Sequence, residues 1–258
     1  MKIRRTERTG KSGSDKEWVY GLNPVLEAIR AGRGIRSIYV SVGRRDKLQQ
    51  LLGEVEGRKL PIKFAEHDFF DRSFPKGHQG VAAEVSSRGY VPLDELLEIP
   101  LLKNEVPFFV VLDLVEDPRN LGAVLRVSDA AGVHGIIIQS HRSATLSSEV
   151  SKASAGAVEY VPVAMVANVK HAIREMKERG IIIVGTDSAA KTLLWDADLA
   201  QPLALIVGSE GKGLRQTVAS LCDLLVKIPM KGRVNSLNVS VATGIFSFEI
   251  FRQRSHNI

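Results

Sequence analysis

Three short segments in the second half of the chain place glycine, small polar residues and single charges where apolar runs end. They are Asn120–Arg126, Gly208–Gly213 and Ile228–Ser240. Ligands of open α/β sheets lie outside the carboxyl ends of the strands, so these segments favour one pocket built from loops. Glycine turns expose backbone amides, and an arginine can bind a phosphate or a carboxylate through two hydrogen bonds. The chemistry indicated is binding of a polar, partly anionic ligand.

Each segment also has a purely structural interpretation. Asn120 could cap a helix, Arg126 could face solvent, and Glu210 could be an exposed residue of a turn. Ser236 could cap the last helix, in whose interior Asn238 is unfavourable by propensity. Both interpretations stay open when the segments are considered one at a time.

Several familiar sites can be set aside. The segment 208–213 is not a Walker A loop, because no Ser or Thr follows Lys212, and it lacks the third glycine of a dinucleotide fingerprint. The sequence shows no His-Glu-x-x-His motif, cysteine cluster or Ser/His/Asp constellation, so we expect no metal site. The single cysteine, Cys222, lies in an apolar run and is interpreted as a core thiol.

The three segments need a sheet to position them. Continuous apolar runs, typical of strands buried on both faces, alternate with helical patterns, which indicates an α/β fold with a parallel sheet. The predicted strands are 108–112, 136–138, 158–163, 181–184, 203–207 and 223–228. The predicted helices are 121–131, 150–157, 169–179, 214–220 and 237–254.

A smaller α/β unit precedes this sheet, at residues 17–87. One predicted helix begins at Asn23, which would be its N-cap, with Pro24 in the first helical position. A second predicted helix spans 44–56. Its predicted strands are 35–42, 61–64 and 80–85. Residues 1–16 are predicted to be a disordered basic tail, 88–106 an interdomain linker with a short helix at 93–97, and 107–258 the larger domain.

Composition limits the class of protein. The 258 residues carry a net charge of +6, and residues 1–16 hold six Lys or Arg against two acidic side chains. Such a tail is either simply solvated or binds phosphate backbones. The sequence contains no run of about 18 apolar residues, so no membrane span is predicted. The basic N-terminus lacks the apolar core of a signal peptide. We expect a cytoplasmic protein.

The three segments, in this order, resemble the SpoU/TrmH family of RNA ribose 2′-O-methyltransferases, S-adenosylmethionine enzymes of the knotted SPOUT class. The resemblance covers about residues 108–254. Val19–Ala28 and His78–Val81 look like the family's L30e/L7Ae-like substrate-binding domain. Pro92–Leu97 and Ser151–Glu159 look like the subgroup that methylates a guanosine ribose in 23S ribosomal RNA.

This resemblance implies a deep trefoil knot, which general rules of chain topology disfavour. It also implies a homodimer whose catalytic site is completed by both subunits. The S-adenosylmethionine contacts implied by the motifs fall at Val207, Gly208, Ile228, Met230 and Leu237. No metal and no membrane are expected as partners.

The implied reaction is attack of a ribose 2′-oxygen on the sulfonium methyl group, with Arg126 at the 2′-hydroxyl. Arginine stays protonated, so we expect Arg126 to stabilise the developing oxyanion and to position a phosphate. Asn120 and Glu210 would orient Arg126 or the ribose, and Ser236 and Asn238 would shape the cofactor and hydroxyl contacts. RNA binding is expected from the tail, from 17–87 and from the basic residues Arg44, Arg45 and Lys47.

Three other functions are considered. The same reaction could act on transfer RNA, or the chain could be a non-catalytic RNA-binding or ribosome-assembly factor. Retention of all five polar residues of the predicted catalytic set argues against a disused pocket. A dinucleotide-dependent enzyme is disfavoured by the missing fingerprint.

Overall fold

The protein is described by a computed structural model. It describes residues 16–209, 211, 213–233 and 236–255, and the side chains of 16 and 45–47 lie outside that description. The chain forms two sheets, one of four strands and one of seven. We refer to residues 16–86 as the small unit and to 108–255 as the large unit.

The small unit is a four-stranded sheet with helices on both faces, and its strand order is β1-β4-β2-β3. Its strands are β1 (Lys16–Tyr20), β2 (Ile35–Ser41), β3 (Ile62–Ala65) and β4 (Val81–Ser86). Its helices are α1 (Leu22–Arg30), α2 (Gln49–Gly57) and α3 (His67–Ser73). Helices α1 and α2 bury one face of the sheet, and Phe70 of α3 packs on the other.

Two helix boundaries in the small unit differ from the prediction. Helix α1 begins at Leu22, so Asn23 lies in the first turn and is not the cap, because Gly21 at φ 95° turns the chain out of β1. The helix predicted at 44–56 is a 3₁₀ turn over Val42–Leu48 followed by α2. Lys16, expected in the tail, begins β1 and pairs with Ser86, whereas residues 1–15 lie outside the described part of the chain.

The large unit is the predicted α/β fold, with every recorded strand pair parallel, and its order is β7-β6-β5-β10-β8-β11-β9. Its strands are β5 (Phe108–Asp113), β6 (Gly135–Gln139), β7 (Val163–Val166), β8 (Ile182–Thr186), β9 (Thr192–Leu193), β10 (Leu203–Gly208) and β11 (Leu224–Lys227). The central strands β5 and β10 are buried along their whole length, as continuous apolar runs predict.

Helices cover both faces of this sheet. They are α4 (Leu93–Lys103), α5 (Pro118–Ala130), α6 (Ser148–Ala153), α7 (Val169–Glu178), α8 (Gln216–Ala219) and α9 (Val239–Ser255). Helices α5, α6 and α9 pack on one face and α4, α7 and α8 on the other. Burial raises the pKa of the Cys222 thiol, beside α8, to about 11, in keeping with a core thiol.

The prediction of a strand at 158–163 is wrong. Residues Ala157–Glu159 form a 3₁₀ turn, and β7 begins only at Val163. Gly156, at φ 95°, reverses the chain before the turn, and the Glu159 carboxylate is buried between two arginines. The segment expected as a linker holds the eleven-residue α4, whose Leu96 and Leu97 are buried.

No helix in the described ranges is both long enough and apolar enough to cross a bilayer.

Candidate active site

The loops after β8, β10 and β11 enclose a cavity of about 340 Å³ at the carboxyl ends of these strands. That volume lies within the range of small-molecule sites. All five residues expected to contact S-adenosylmethionine line it: Val207, Gly208, Ile228, Met230 and Leu237. Ser236 lines the same cavity. Two of the three sequence motifs therefore meet in one pocket.

The glycine-rich segment folds back over the end of its own strand. A Cβ atom on Gly208 would lie 2.2 Å from the carbonyl carbon of Gly213 and 2.4 Å from the amide nitrogen of Leu214. The backbone N–H of Gly213 donates to the Ser209 carbonyl oxygen at 3.0 Å, and Gly211 and Gly213 have φ of 80° and 64°. The missing side chain at Gly208 makes this close approach possible.

The cavity walls combine three glycines of the glycine-rich segment, which offer only backbone, with apolar side chains such as Ile228, Leu237 and Phe246. A flat heterocycle with polar edges matches that combination, because its faces contact carbon and its edges contact peptide groups. The pocket therefore fits the adenosyl part of S-adenosylmethionine.

Sequence reasoning missed one wall of the cavity. Thr186, Asp187 and Ser188, at the end of β8, line it as well. The Asp187 carboxylate accepts the Ala189 N–H at 2.8 Å, and the Asp187 N–H donates to the Val226 carbonyl oxygen at 3.0 Å. The signal that could have found them is a polar triplet immediately after an apolar strand.

An ion pair between a buried carboxylate and a partly exposed arginine, also missed by sequence reasoning, fixes the exit of the glycine-rich segment. The Asp113 carboxylate, buried at the end of β5, accepts the Arg215 backbone N–H at 3.0 Å and its Nε–H at 2.8 Å. The Arg215 Nη2 group donates to Gln139 Oε1, at the end of β6, at 3.0 Å. Arg215 thereby joins the loop to the ends of two further strands.

The start of α5 differs from the prediction. Asp117 is its N-cap and accepts the Arg119 N–H at 2.8 Å, with Pro118 in the first turn, so Asn120 is not the cap. The helix begins at Pro118 because the Asp117 carboxylate accepts a free N–H group of the first turn and proline favours the first helical position.

The start of α9 differs in the same way. The Asn238 side-chain oxygen accepts the Ser240 N–H at 2.9 Å, so Asn238 occupies the capping position expected of Ser236. The Asn238 Nδ2 group donates to Asn120 Oδ1 at 3.0 Å. The structure therefore brings together two of the predicted catalytic residues and ties the first motif to the third.

The other predicted catalytic residues are placed less closely. Arg126 is exposed on α5, six residues after Asn120, and is not among the residues that line the cavity. No hydrogen bond or ion pair joins it to another described residue. Glu210 lies outside the described residues. An exposed arginine on the helix bonded to the pocket rim is available to a bound polyanion.

One side-chain group away from the cavity has the composition of a metal site, with ligand atoms of His67, Asp71 and His78 within 4.8 Å of one another. The Gly80 N–H donates to His78 Nδ1 at 3.0 Å, so the proton of the neutral ring is on Nε2, which faces Asp71 Oδ1 at 3.0 Å. A metal-bound histidine needs a lone pair on the nitrogen that faces the ion. This group is therefore explained as a hydrogen-bonded cluster.

Comparison with known proteins gives consistent matches over both units. The model of the SpoU rRNA Methylase family matches residues 107–248, and the model for RNA 2′-O ribose methyltransferase substrate binding matches 18–91. YacO of Bacillus subtilis, named as a TrmH family tRNA/rRNA methyltransferase, is 41% identical over 93% of this chain and 96% of its own. RlmB of Pseudomonas aeruginosa, a 23S rRNA (guanosine-2′-O-)-methyltransferase, is 40% identical over 94% and 98%.

A solved structure shows the same fold. The SpoU methyltransferase AviRb from Streptomyces viridochromogenes, in complex with the cofactor AdoMet, aligns with a TM-score of 0.77 and 27% identity, covering 93% of this chain and 91% of that one. The family models together match most of the described chain. This chain belongs to the SpoU rRNA methylase family and is an S-adenosylmethionine-dependent RNA methyltransferase.

Proposed function

We propose that this protein transfers a methyl group from S-adenosylmethionine to the 2′-hydroxyl of a guanosine ribose in 23S ribosomal RNA, in the cytoplasm. The observation that carries the proposal is the hydrogen bond between Asn238 and Asn120, because it joins the residue after the pocket-lining Ser236 and Leu237 to the helix that carries Arg126. The choice of RNA is supported by the activity named for the relative from Pseudomonas aeruginosa.

Each part of the site has a separate task in this proposal. The donor supplies the methyl group as an electrophile. The pocket residues Val207, Ile228 and Leu237 hold it by packing, and Gly208 and Met230 complete the wall. Ser236, on the cavity lining, is proposed to contact the donor and the ribose hydroxyl.

Arg126 acts on the acceptor side. The 2′-oxygen bonds to the methyl carbon as the carbon–sulfur bond breaks, which releases S-adenosylhomocysteine, and the hydroxyl proton passes to water. The Arg126 guanidinium neutralises the negative charge that develops on the 2′-oxygen, and it binds the adjacent phosphate. The linked amides of Asn120 and Asn238 fix the position of α5 against α9, and Glu210 orients the ribose or Arg126. Preorganised charge of this kind contributes because it needs no rearrangement during the reaction.

We also propose that two chains pair through the outer face of α9. The inner face buries Phe246 and Ile250, whereas Val241, Phe248 and Phe251 on the outer face are 50%, 47% and 50% exposed. Large apolar side chains clustered on one helix face are typical of an interface between subunits. Such pairing would bring a second chain close to Arg126, since α5 packs against α9.

The finer fold assignments belong to the same proposal. A trefoil knot is supported by the central position of β10 and by the meeting in one cavity of residues after β10 with residues after β11, among them Gly208, Leu214, Ile228 and Leu237. The domain limits 17–87 and 107–258, with an L30e/L7Ae-like first domain, remain proposed. Arg44, exposed on the small unit, is a proposed RNA contact, and the side chains of Arg45 and Lys47 lie outside the described residues.

Methyl transfer to purified RNA tests the function directly. We expect labelled methyl from S-adenosylmethionine to enter naked 23S ribosomal RNA at a single ribose, mapped as a 2′-O-methylguanosine. Transfer to unmodified transfer RNA instead would replace the proposed substrate. Tight S-adenosylmethionine binding with no transfer to either RNA would favour a ribosomal particle as substrate or a non-catalytic role.

Asn238→Ala is expected to lower both stability and the methyl-transfer rate. Loss of the cap on α9 costs about 1 kcal/mol of unfolding free energy. Loss of the bond to Asn120 lets α5 shift, and displaced catalytic groups lower rates by roughly tenfold or more. Urea denaturation and single-turnover transfer measure the two effects.

The matched control is Asn168→Ala. Asn168 caps α7 in the same way, accepting the Lys170 N–H at 3.0 Å, on the opposite face of the sheet. We expect a similar loss of stability and an unchanged transfer rate. Equal rates in the two variants would contradict the role given to Asn238.

A further inference from the structure

Helix α6 lies between the small unit and the catalytic helix α5. On the small-unit side, the Lys152 side chain packs against Gly21 and Gly77. Its Nζ donates to the Gly77 carbonyl oxygen at 2.5 Å. A Cβ atom on Gly21 would lie 2.5 Å from that Nζ, and one on Gly77 would lie 3.4 Å from Lys152 Cε. The lysine thus fills space that any other residue at Gly21 would take, and burial lowers its pKa.

A buried ion-pair network follows a few residues later. The side chain of Glu159 is 1% exposed, and its two oxygens accept Nη1 of Arg33 at 2.8 Å and Nη1 of Arg88 at 2.9 Å. Arg33 also donates to Glu17 at 2.5 Å and to the Ser86 carbonyl oxygen at 2.9 Å. One carboxylate of the large unit is therefore neutralised by an arginine of the small unit and by one of the connection.

A third contact lies beside the network. The Tyr160 hydroxyl donates to the Glu27 carboxylate on α1 at 2.6 Å. A Cβ atom on Gly156 would lie 2.5 Å from Glu27 Cβ and 2.7 Å from its Cγ, so the Glu27 side chain packs directly against the backbone at Gly156. Three separate contacts with matched charge and shape distinguish this junction from a pair of units joined only by a linker.

The other side of α6 contacts the catalytic helix just as closely. A Cβ atom on Gly122 would lie 2.4 Å from Ala153 Cβ and 2.9 Å from the Ser154 amide nitrogen. Gly122 stands on α5 between Asn120 and Arg126. The turn of α6 that carries Lys152 therefore packs directly on the turn of α5 that carries the site.

We propose that residues 148–160, the docking segment, hold the small unit at one fixed place relative to α5 before RNA binds. Lys152 and Glu159 are then positioning residues, and the docked small unit sets which ribose of a bound RNA reaches Arg126. The part of this inference that concerns which ribose is methylated rests on the proposed function, because it is measured by methyl transfer. The docking itself is a property of the RNA-free protein.

The test compares Lys152→Met and Glu159→Gln with the wild-type chain. We expect the KM for the long RNA substrate to rise about tenfold or more, because a bound group misplaced by an ångström costs that much. We expect kcat at saturating RNA to change far less, S-adenosylmethionine affinity to stay within about twofold, and methylation to spread to neighbouring riboses. Small-angle scattering of the RNA-free variants should show a larger radius of gyration.

Lys103→Met is the matched control, since Lys103 is exposed at the end of α4. It removes one lysine charge and is expected to leave KM, product sites and scattering unchanged. Equal losses in Lys103→Met and Lys152→Met would assign the effect to general charge and overturn the proposal.

A double-mutant cycle makes the test specific to the junction. Arg33→Gln and Glu159→Gln, singly and together, should be strongly non-additive in KM, because the two side chains form one pair across the units. Should Glu159→Gln fail to fold, Tyr160→Phe with Lys152→Met disrupts the junction without leaving a buried charge. Wild-type KM, product sites and scattering in the folded variants would overturn the proposal.

Failure of the proposed function is recognised separately. A wild-type protein that methylates no RNA would refute that function, and scattering of the same variants would still decide whether the units are docked.

Discussion

Arg126→Ala is expected to lower the methyl-transfer rate by about 10²–10³-fold, the usual loss when one donor to a developing oxyanion is removed. Arg126 is exposed on α5 and does not line the cavity, so S-adenosylmethionine binding should be unchanged. Arg126→Lys keeps the charge and loses the planar fork, and it should recover only part of the rate. Single-turnover transfer and equilibrium dialysis of the cofactor separate the two quantities.

Arg174→Ala is the control for this prediction. Arg174 is exposed on α7, which packs on the opposite face of the sheet. It should leave the rate unchanged while removing the same charge. A full rate in Arg126→Lys would show that the forked geometry is not used, and a full rate in Arg126→Ala would remove Arg126 from the mechanism.

Gly208→Ala is expected to weaken S-adenosylmethionine binding by roughly 10- to 100-fold. The added methyl group would lie 2.2 Å from the Gly213 carbonyl carbon, and backbone cannot rotate away as a flexible side chain can. Relief of such overlap costs about 1–3 kcal/mol, here by pushing the segment after β10 away from the cavity. Isothermal titration calorimetry measures the loss, and thermal denaturation measures how much of the strain reaches the fold.

The matched control is Gly232→Ala. A Cβ atom there meets nothing within 4 Å, and the residue lies in the same part of the chain as Met230. Its affinity for S-adenosylmethionine should equal that of the wild type. Wild-type affinity in Gly208→Ala would mean that the segment after β10 does not form this wall of the cofactor site.

The sequence predicted the large sheet well because a parallel strand buried on both faces is a continuous apolar run. Such a run can be recognised in the local sequence without knowing which strand pairs with it. The runs at 108–112 and 203–207 became β5 and β10 within one residue at either end. The run at 158–163 failed because Glu159 is buried by an arginine 126 positions earlier in the chain. A carboxylate paired over that separation has the same local sequence as an exposed one.

The candidate site divides in the same way. The cavity wall at Gly208, Ile228 and Leu237 could be named from linked motifs, because a family resemblance carries position as well as type. The pair Asp113–Arg215 could not, since the two residues meet only when β10 inserts beside β5. The cap of α9 was predicted at Ser236 and is Asn238, two residues later, because both residue types are favoured at helix N-caps.

The strand order has a consequence for how the chain acquires its structure. Strand β10 lies between β5 and β8, yet both of its partners precede it in the sequence. Until β10 is synthesised, the facing edges of β5 and β8 carry unpaired backbone groups, which invite association with other chains. Pairing of β10 with β5, which lies far earlier in the chain, makes the centre of the sheet slow to form. The nascent chain should therefore depend on protection from aggregation until β10 and β11 emerge.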